Sequence, residues 1–287
     1  MAVDVRIDAL LPHEMAEKAE AIGVRKAKMP TLEMFFLAIL AGAFIALGAV
    51  FATTVAAGNT NWPYGVIKLL VGVSFSLGLI LVIVGGAELF TGNNLIAMAW
   101  ASQKVRTRCL LRNWLVVYAG NLVGAVGTAA ITFIARQYTF GGGAVGQTAL
   151  SIANGKVNLD FWQALALGIL CNALVCLAVW LTFSARSTVD KIAAIIFPIA
   201  AFVAAGFEHS VANMYFIPIG LLIKQFDPAF AANAGLDITS LTWRNFLLHN
   251  LLPVTLGNII GGSLLVAGFY WVIFLRINHK KESAQTN

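Results

Sequence analysis

The chain has little charge, little histidine and almost no cysteine. Charged residues make up 11% of its 287 positions, too few to cover a water-soluble domain of that size. Cys109, Cys171 and Cys176 supply no disulfide framework and no metal-ligand spacing. Cys171 and Cys176, on one expected helix, point to different faces and read as small apolar packing residues. The histidines stand apart at 13, 209, 249 and 279, which leaves no nucleophile–base pair or metal cluster. Neither an enzyme nor a cofactor is expected. The first 30 residues are polar and charged, so no cleavable leader is expected there.

What is present is apolar. The chain is 59% hydrophobic with a mean hydropathy of +0.82, which places it in the membrane class. Runs long enough to span lie near 31–57, 65–100, 109–135, 159–184, 189–223 and 246–275. This predicts an all-α integral membrane protein of six spans in one domain, 31–276. It is preceded by an amphipathic helix within 1–30 and followed by a short tail, 277–287. The amphipathic helix (PHEMAEKAEAIGVRKAK) reads either as a surface helix at the bilayer or as a gate, with His13 set among Glu14, Glu17 and Glu20.

Basic residues set the orientation. Arg6, Lys18, Arg25, Lys26 and Lys28 precede the first span. Lys104, Arg106, Arg108 and Arg112 follow the second, Arg186 and Lys191 the fourth, and Arg276, Lys280 and Lys281 the sixth. Only Lys68, Arg136, Lys156, Lys224 and Arg244 fall on the other side. Both termini are therefore expected in the cytoplasm. The net charge of +6 is mostly this bias, and no nucleic-acid partner is expected.

Two runs are too long for one straight span. Residues 189–223 would make a helix of about 52 Å at ~1.5 Å per residue, against a hydrocarbon core of ~30 Å. Their centres are polar and alike: Gly86-x-Glu88 with Asn93, and Gly206-x-Glu208 with Asn213. Gly120-Asn121-x-x-Gly124 likewise matches Gly257-Asn258-x-x-Gly261, and Gly42 aligns more weakly with Gly168. Two matches in one order indicate a duplication of three spans, and three being odd, the halves are expected inverted, with paired interrupted helices at the midplane.

A feature present in both halves reads as scaffold. Glu88, Glu208, Asn93 and Asn213 are expected to be structural, the carboxylates accepting backbone amides freed at the breaks. His209 opposes Leu89 in the alignment, and Val211 opposes Thr91, so these polar groups stand unpaired between the halves. An ionisable group at membrane depth points to function, and His209 is the expected pore residue. Phe75 and Leu79 share a helix face, as do Asn172 and Val175, and Phe202 lies seven before His209. Residues 136–160 contain GGGAVG with neither strand nor βαβ unit around it, so a flexible external loop is expected rather than a nucleotide site. Lys156 falls at its end.

Ile83–Gly92 (IVGGAELFTG), Gly168–Ala178 (GILCNALVCLA) and Gly206–Met214 (GFEHSVANM) resemble the formate/nitrite transporter family, and the similarity extends over nearly the whole chain. The resemblance implies an aquaporin-like protomer assembled as a homopentamer in the bacterial inner membrane, one pore per protomer. It implies that His209 faces Thr91 at the centre of the pore. Phe75 and Phe202 would constrict it outward, with Leu79, Leu89, Phe90 and Val175 toward the middle and cytoplasm. Lys156 and Asn172 would draw the anion in. Formate is the implied solute, with proton coupling at low pH through the histidine; nitrite and hydrosulfide are the family alternatives. A neutral-solute aquaporin would carry asparagine-proline-alanine at the breaks, which this chain lacks.

Overall fold

The computed structural model describes residues 9–58 and 61–276. Arg6, the remaining first eight residues and the tail 277–287, with Lys280 and Lys281, lie outside the described residues. All regular structure among the described residues is helical. α1 (Pro12–Lys28) and α2 (Thr31–Ala56) come first, then α3 (Tyr64–Gly85), a 3₁₀ turn at Gly92–Leu95 and α4 (Ile96–Ala101). α5 (Thr107–Ile134), α6 (Ala144–Val157) and α7 (Phe161–Ser184) follow. α8 (Thr188–Ala204), α9 (Ser210–Phe226) and α10 (Pro228–Asn233) precede a last helix, Trp243–Arg276, which carries π-helical stretches at Phe246–Leu251, Ile260–Gly268 and Trp271–Arg276.

Among the described residues five helices are long and apolar enough to cross a membrane: α2, α3, α5, α7 and the last. The run 189–223, expected as a further span, is divided into α8 and α9 of 17 residues each. The cause is local. Gly206 has φ +74°, a left-handed conformation that a Cβ disfavours, and the chain turns there instead of continuing the helix. Gly86, with φ +79°, ends α3 in the same way.

The bundle is closed by helices that approach backbone to backbone. α2 packs on α5, and α7 on the last helix. A Cβ on Gly124 would collide with the carbonyl of Ile39, and one on Gly261 with that of Ile169; only hydrogen fits at these crossings.

The stretch 136–160 is not the flexible loop expected. Three left-handed glycines, Gly141, Gly142 and Gly143, turn the chain into α6, whose Val145, Gly146, Ala149, Leu150, Ala153 and Val157 are buried. Its buried face mixes Gly146, Ala149 and Ala153 with Val145, Leu150 and Val157 and packs on α9, a weak hydropathy signal beside the glycines. α1 buries the same register: Met15, Ala16, Ala19, Glu20, Gly23 and Ala27. It packs on α4, α5, α7 and the end of the last helix, and the buried Glu20 pairs with Lys104. α1 is thus a docked member of the bundle rather than a helix lying only on the bilayer.

Candidate functional site

The chain is interrupted at 86–91 and 205–209, and each interruption is held by the same set of side chains. Asn121 donates to the carbonyls of Glu88 (2.9 Å) and Ala38 (2.7 Å) and accepts from the Phe90 N–H (2.9 Å). Asn258 donates to the carbonyls of Glu208 (3.0 Å) and Gly168 (2.8 Å) and accepts from the Ser210 N–H (2.9 Å). Both asparagines are fully buried, and they satisfy backbone groups that a helix break would otherwise leave bare in an apolar interior.

The glutamates do something else. Their carboxylates were expected to accept freed backbone amides; they accept side-chain donors instead. Lys26 Nζ lies 2.6 Å from Glu88 Oε1, and Asn93 Nδ2 donates to Oε2 at 2.7 Å. Lys156 Nζ lies 2.6 Å from Glu208 Oε1, and Asn213 Nδ2 donates to Oε2 at 2.7 Å. Asn113 and Asn250 complete the two clusters, each bonded to the neighbouring asparagine and to the backbone carbonyl of its lysine. The amides are taken up by Asn121 and Asn258 first, and a carboxylate this deep needs a cation beside it. Lys26, Asn113 and Asn250 were not singled out from the sequence. The signal was there in the common spacing of α1 and α6, which puts Lys26 and Lys156 at the same register.

Two cavities approach each other between these clusters. The larger, about 790 Å³, is lined by Lys26, Glu88, Asn93, Leu79 and Leu89 among others. The smaller, about 290 Å³, is lined by Lys156, Glu208, Asn213, Phe75, Phe202 and His209 among others. They share no lining residue. Phe75 and Leu79 line different cavities although they are one turn apart on α3, so the barrier along that helix is about 6 Å thick at ~1.5 Å per residue. Phe75 meets Phe202 edge-on at 5.7 Å and stacks on Phe216 at 6.2 Å.

His209 and Thr91 meet at this barrier. Their Nε2 and Oγ1 atoms are 3.0 Å apart, His209 is 3% exposed and Thr91 fully buried. His209 caps α9: its Nδ1 accepts from the Ala212 N–H at 3.0 Å. A nitrogen that accepts carries no proton, so the neutral ring holds its hydrogen on Nε2 and donates to Thr91. The threonine hydroxyl then keeps its own hydrogen to offer elsewhere. Phe202 stacks on the imidazole with centroids 5.9 Å apart.

Thr91 is positioned through its backbone. Asn172 Nδ2 donates to the Thr91 carbonyl (3.2 Å) and to that of Asn258 (2.7 Å), tying the two interruptions together, and Cys176 Sγ reaches the same Thr91 carbonyl at 3.4 Å. Phe90 packs edge-on against Tyr118 at 4.8 Å and Trp114 at 6.2 Å. Phe90, Asn172, Val175 and Thr91 line neither cavity. Among the described residues no cluster of metal-ligating side chains occurs.

Long apolar helices around two opposed cavities, closed from each other by a short apolar barrier with one polar contact in it, define a membrane transport protein built around a conduit. The sequence agrees: the chain belongs to the formate/nitrite transporter family, whose description, Formate/nitrite transporter, matches residues 13–272. It is 47% identical over 282 residues to the formate channel FocA of Escherichia coli K12, covering 97% of this chain and 99% of that one. It is 41% identical to the formate channel FocA of Haemophilus influenzae, covering 91% and 93%. Its fold is similar to a solved structure described as a pentameric formate channel with formate bound, with a TM-score of 0.80 at 49% identity, covering 85% of this chain and 98% of that one.

Proposed function

We propose that this protein is a formate channel of the bacterial inner membrane, assembled as a homopentamer with a conduit in each protomer. The observation that carries the reading is the Thr91–His209 contact at the barrier between two lysine- and glutamate-bearing cavities. The likeness to formate channels supports the solute and the pentamer. The paired hydrogen-bond clusters support an inverted repeat, in which α3 with the 92–101 segment forms one interrupted span and α8 with α9 the other. The excess of basic residues on one side supports cytoplasmic termini.

In this mechanism formate sheds water against the apolar rings at Phe75 and Phe202 or at Leu79 and Leu89. It accepts hydrogen bonds from the Thr91 hydroxyl and, as the ring turns from its partner, from His209 Nε2–H. Charge is the main obstacle in so apolar a passage, and an anion against the imidazole favours a proton there. The neutral ring holds one hydrogen, on Nε2, so it takes a proton before it gives one. A proton from cavity water adds at Nδ1 as the Ala212 N–H is released, and the imidazolium passes its Nε2 proton to formate. The solute then crosses the second ring as neutral formic acid beside a neutral ring. Charge at the ring is removed at the moment it costs most.

The test is solute flux into proteoliposomes of purified protein. Formate passing rapidly while sulfate is excluded is the expected result, with nitrite and hydrosulfide run alongside. Equal passage of sulfate and formate, or no formate passage, overturns the reading.

A further inference from the structure

Lys156 lines the smaller cavity, but its charge is already used. Its ammonium sits 2.6 Å from the Glu208 carboxylate, both side chains are largely withdrawn from water, and the pair presents almost no net field to an approaching ion. The charged groups lining that cavity are Lys68, Lys156 and Glu208, with His209 held as the neutral ring by its two hydrogen bonds. Removing the paired charges leaves Lys68 alone. It projects from the first turns of α3, half-buried, with its ammonium over the Tyr64 ring at 5.4 Å. Among the described residues it has no carboxylate partner.

The larger cavity is different. Lys18, Arg25, Lys26, Lys28 and Lys191 line it against Glu33 and Glu88, so its positive excess survives the loss of any one lysine. The outer cavity has no such reserve.

We infer that Lys68, rather than Lys156, is the residue that concentrates anions at the outer mouth. The inference rests on the channel reading above. A single uncompensated cation at the rim of a low-dielectric funnel raises the local anion concentration and the rate at which anions enter, with an effect that salt screens away. Lys156 has a different task, holding the Glu208 carboxylate in place, so its loss disturbs the helix break rather than the approach of the ion.

A charge series at position 68 tests this, read as initial uptake of tracer formate into right-side-out membrane vesicles carrying the full-length protein. At ~0.01 M ionic strength, where the Debye length is about 30 Å, Lys68→Gln should slow uptake on the order of threefold and Lys68→Glu further. Lys68→Arg should match the wild type. In ~1 M salt, with a Debye length of about 3 Å, the four proteins should converge. Equal rates for Gln, Glu and Arg at low salt overturn the assignment, as does a Gln deficit that salt leaves unchanged, since that marks a packing defect. Absence of formate uptake by the wild type would instead count against the channel reading itself, so the two failures are separable.

Discussion

Lys26 reaches from the amino-terminal helix to within 2.6 Å of Glu88 at the first interruption, so α1 is fastened to the segment that carries Thr91. The Lys26 side chain is 25% exposed and that of Glu88 5%. Breaking a largely buried pair leaves a carboxylate without its cation, at a cost of about 2–4 kcal/mol once partial exposure of the lysine is discounted. Lys26→Met and Glu88→Gln should each lower the thermal midpoint in detergent, and the double variant should recover part of the loss. Single variants that melt with the wild type would show that the pair holds nothing.

Asn258 serves the Ser210 N–H and the Glu208 carbonyl at the interruption, and bonds the Gly168 carbonyl of α7 as well. Each buried group left bare costs about 1–3 kcal/mol. Asn258→Ala should therefore destabilise strongly, and so should Asn121→Ala on the other side. Yield of monodisperse protein and its melting temperature measure this; a normal melt for either variant contradicts the assigned role.

Replacement of His209 by Asn preserves the cap on α9, because asparagine is among the best N-cap residues. The variant should fold, keep some passive formate flux and lose the increase in uptake on acidification. Uptake rates between pH 5 and 8 decide it. An unchanged pH profile in folded His209→Asn moves the proton transfer to another residue.

Outside the membrane, Asp227 accepts from the Tyr138 hydroxyl at 2.8 Å and the Phe230 N–H at 3.1 Å. These bonds hold its carboxyl below the usual carboxylate range. A depressed value means that the contribution is complete above the unfolded value of about 3.9 and fades as pH falls through the lower, folded one. α10 should stay protected at neutral pH and open first in acid. Hydrogen exchange across 228–233 at pH 3 and pH 6 tests this, with Tyr138→Phe expected to move the onset to higher pH.

The sequence announced the two interruptions through glycine, glutamate and asparagine at matching intervals, because a break in an apolar run needs all three residue types. It announced Asn121 and Asn258 only as parts of a repeat. That each serves one carboxylate-bearing turn through its carbonyl and nearby amides depends on folding distant segments together, which no local spacing conveys. α6 went unread because half of its buried face is alanine and glycine, and glycines, serine and asparagine around it make the stretch look like a polar loop. Lys26 went unread for a related reason. It lies in a charged helix with three other cations, Lys18, Arg25 and Lys28, and only the docking of α1 distinguishes it from its neighbours. Thr91 stood out as unmatched by Val211, yet its orientation is set by Asn172 and Cys176, more than eighty residues away.

The two cavities share no lining residue, and the partition between them is made of aromatic and aliphatic side chains no thicker than a helical turn. Water in one cannot form a continuous hydrogen-bonded file with water in the other while those side chains stay in place. Protons travel along such files far faster than ions diffuse. On the mechanism proposed above, a membrane that stores energy as a proton gradient would carry many copies of this protein without being discharged, a proton crossing only in company with the solute.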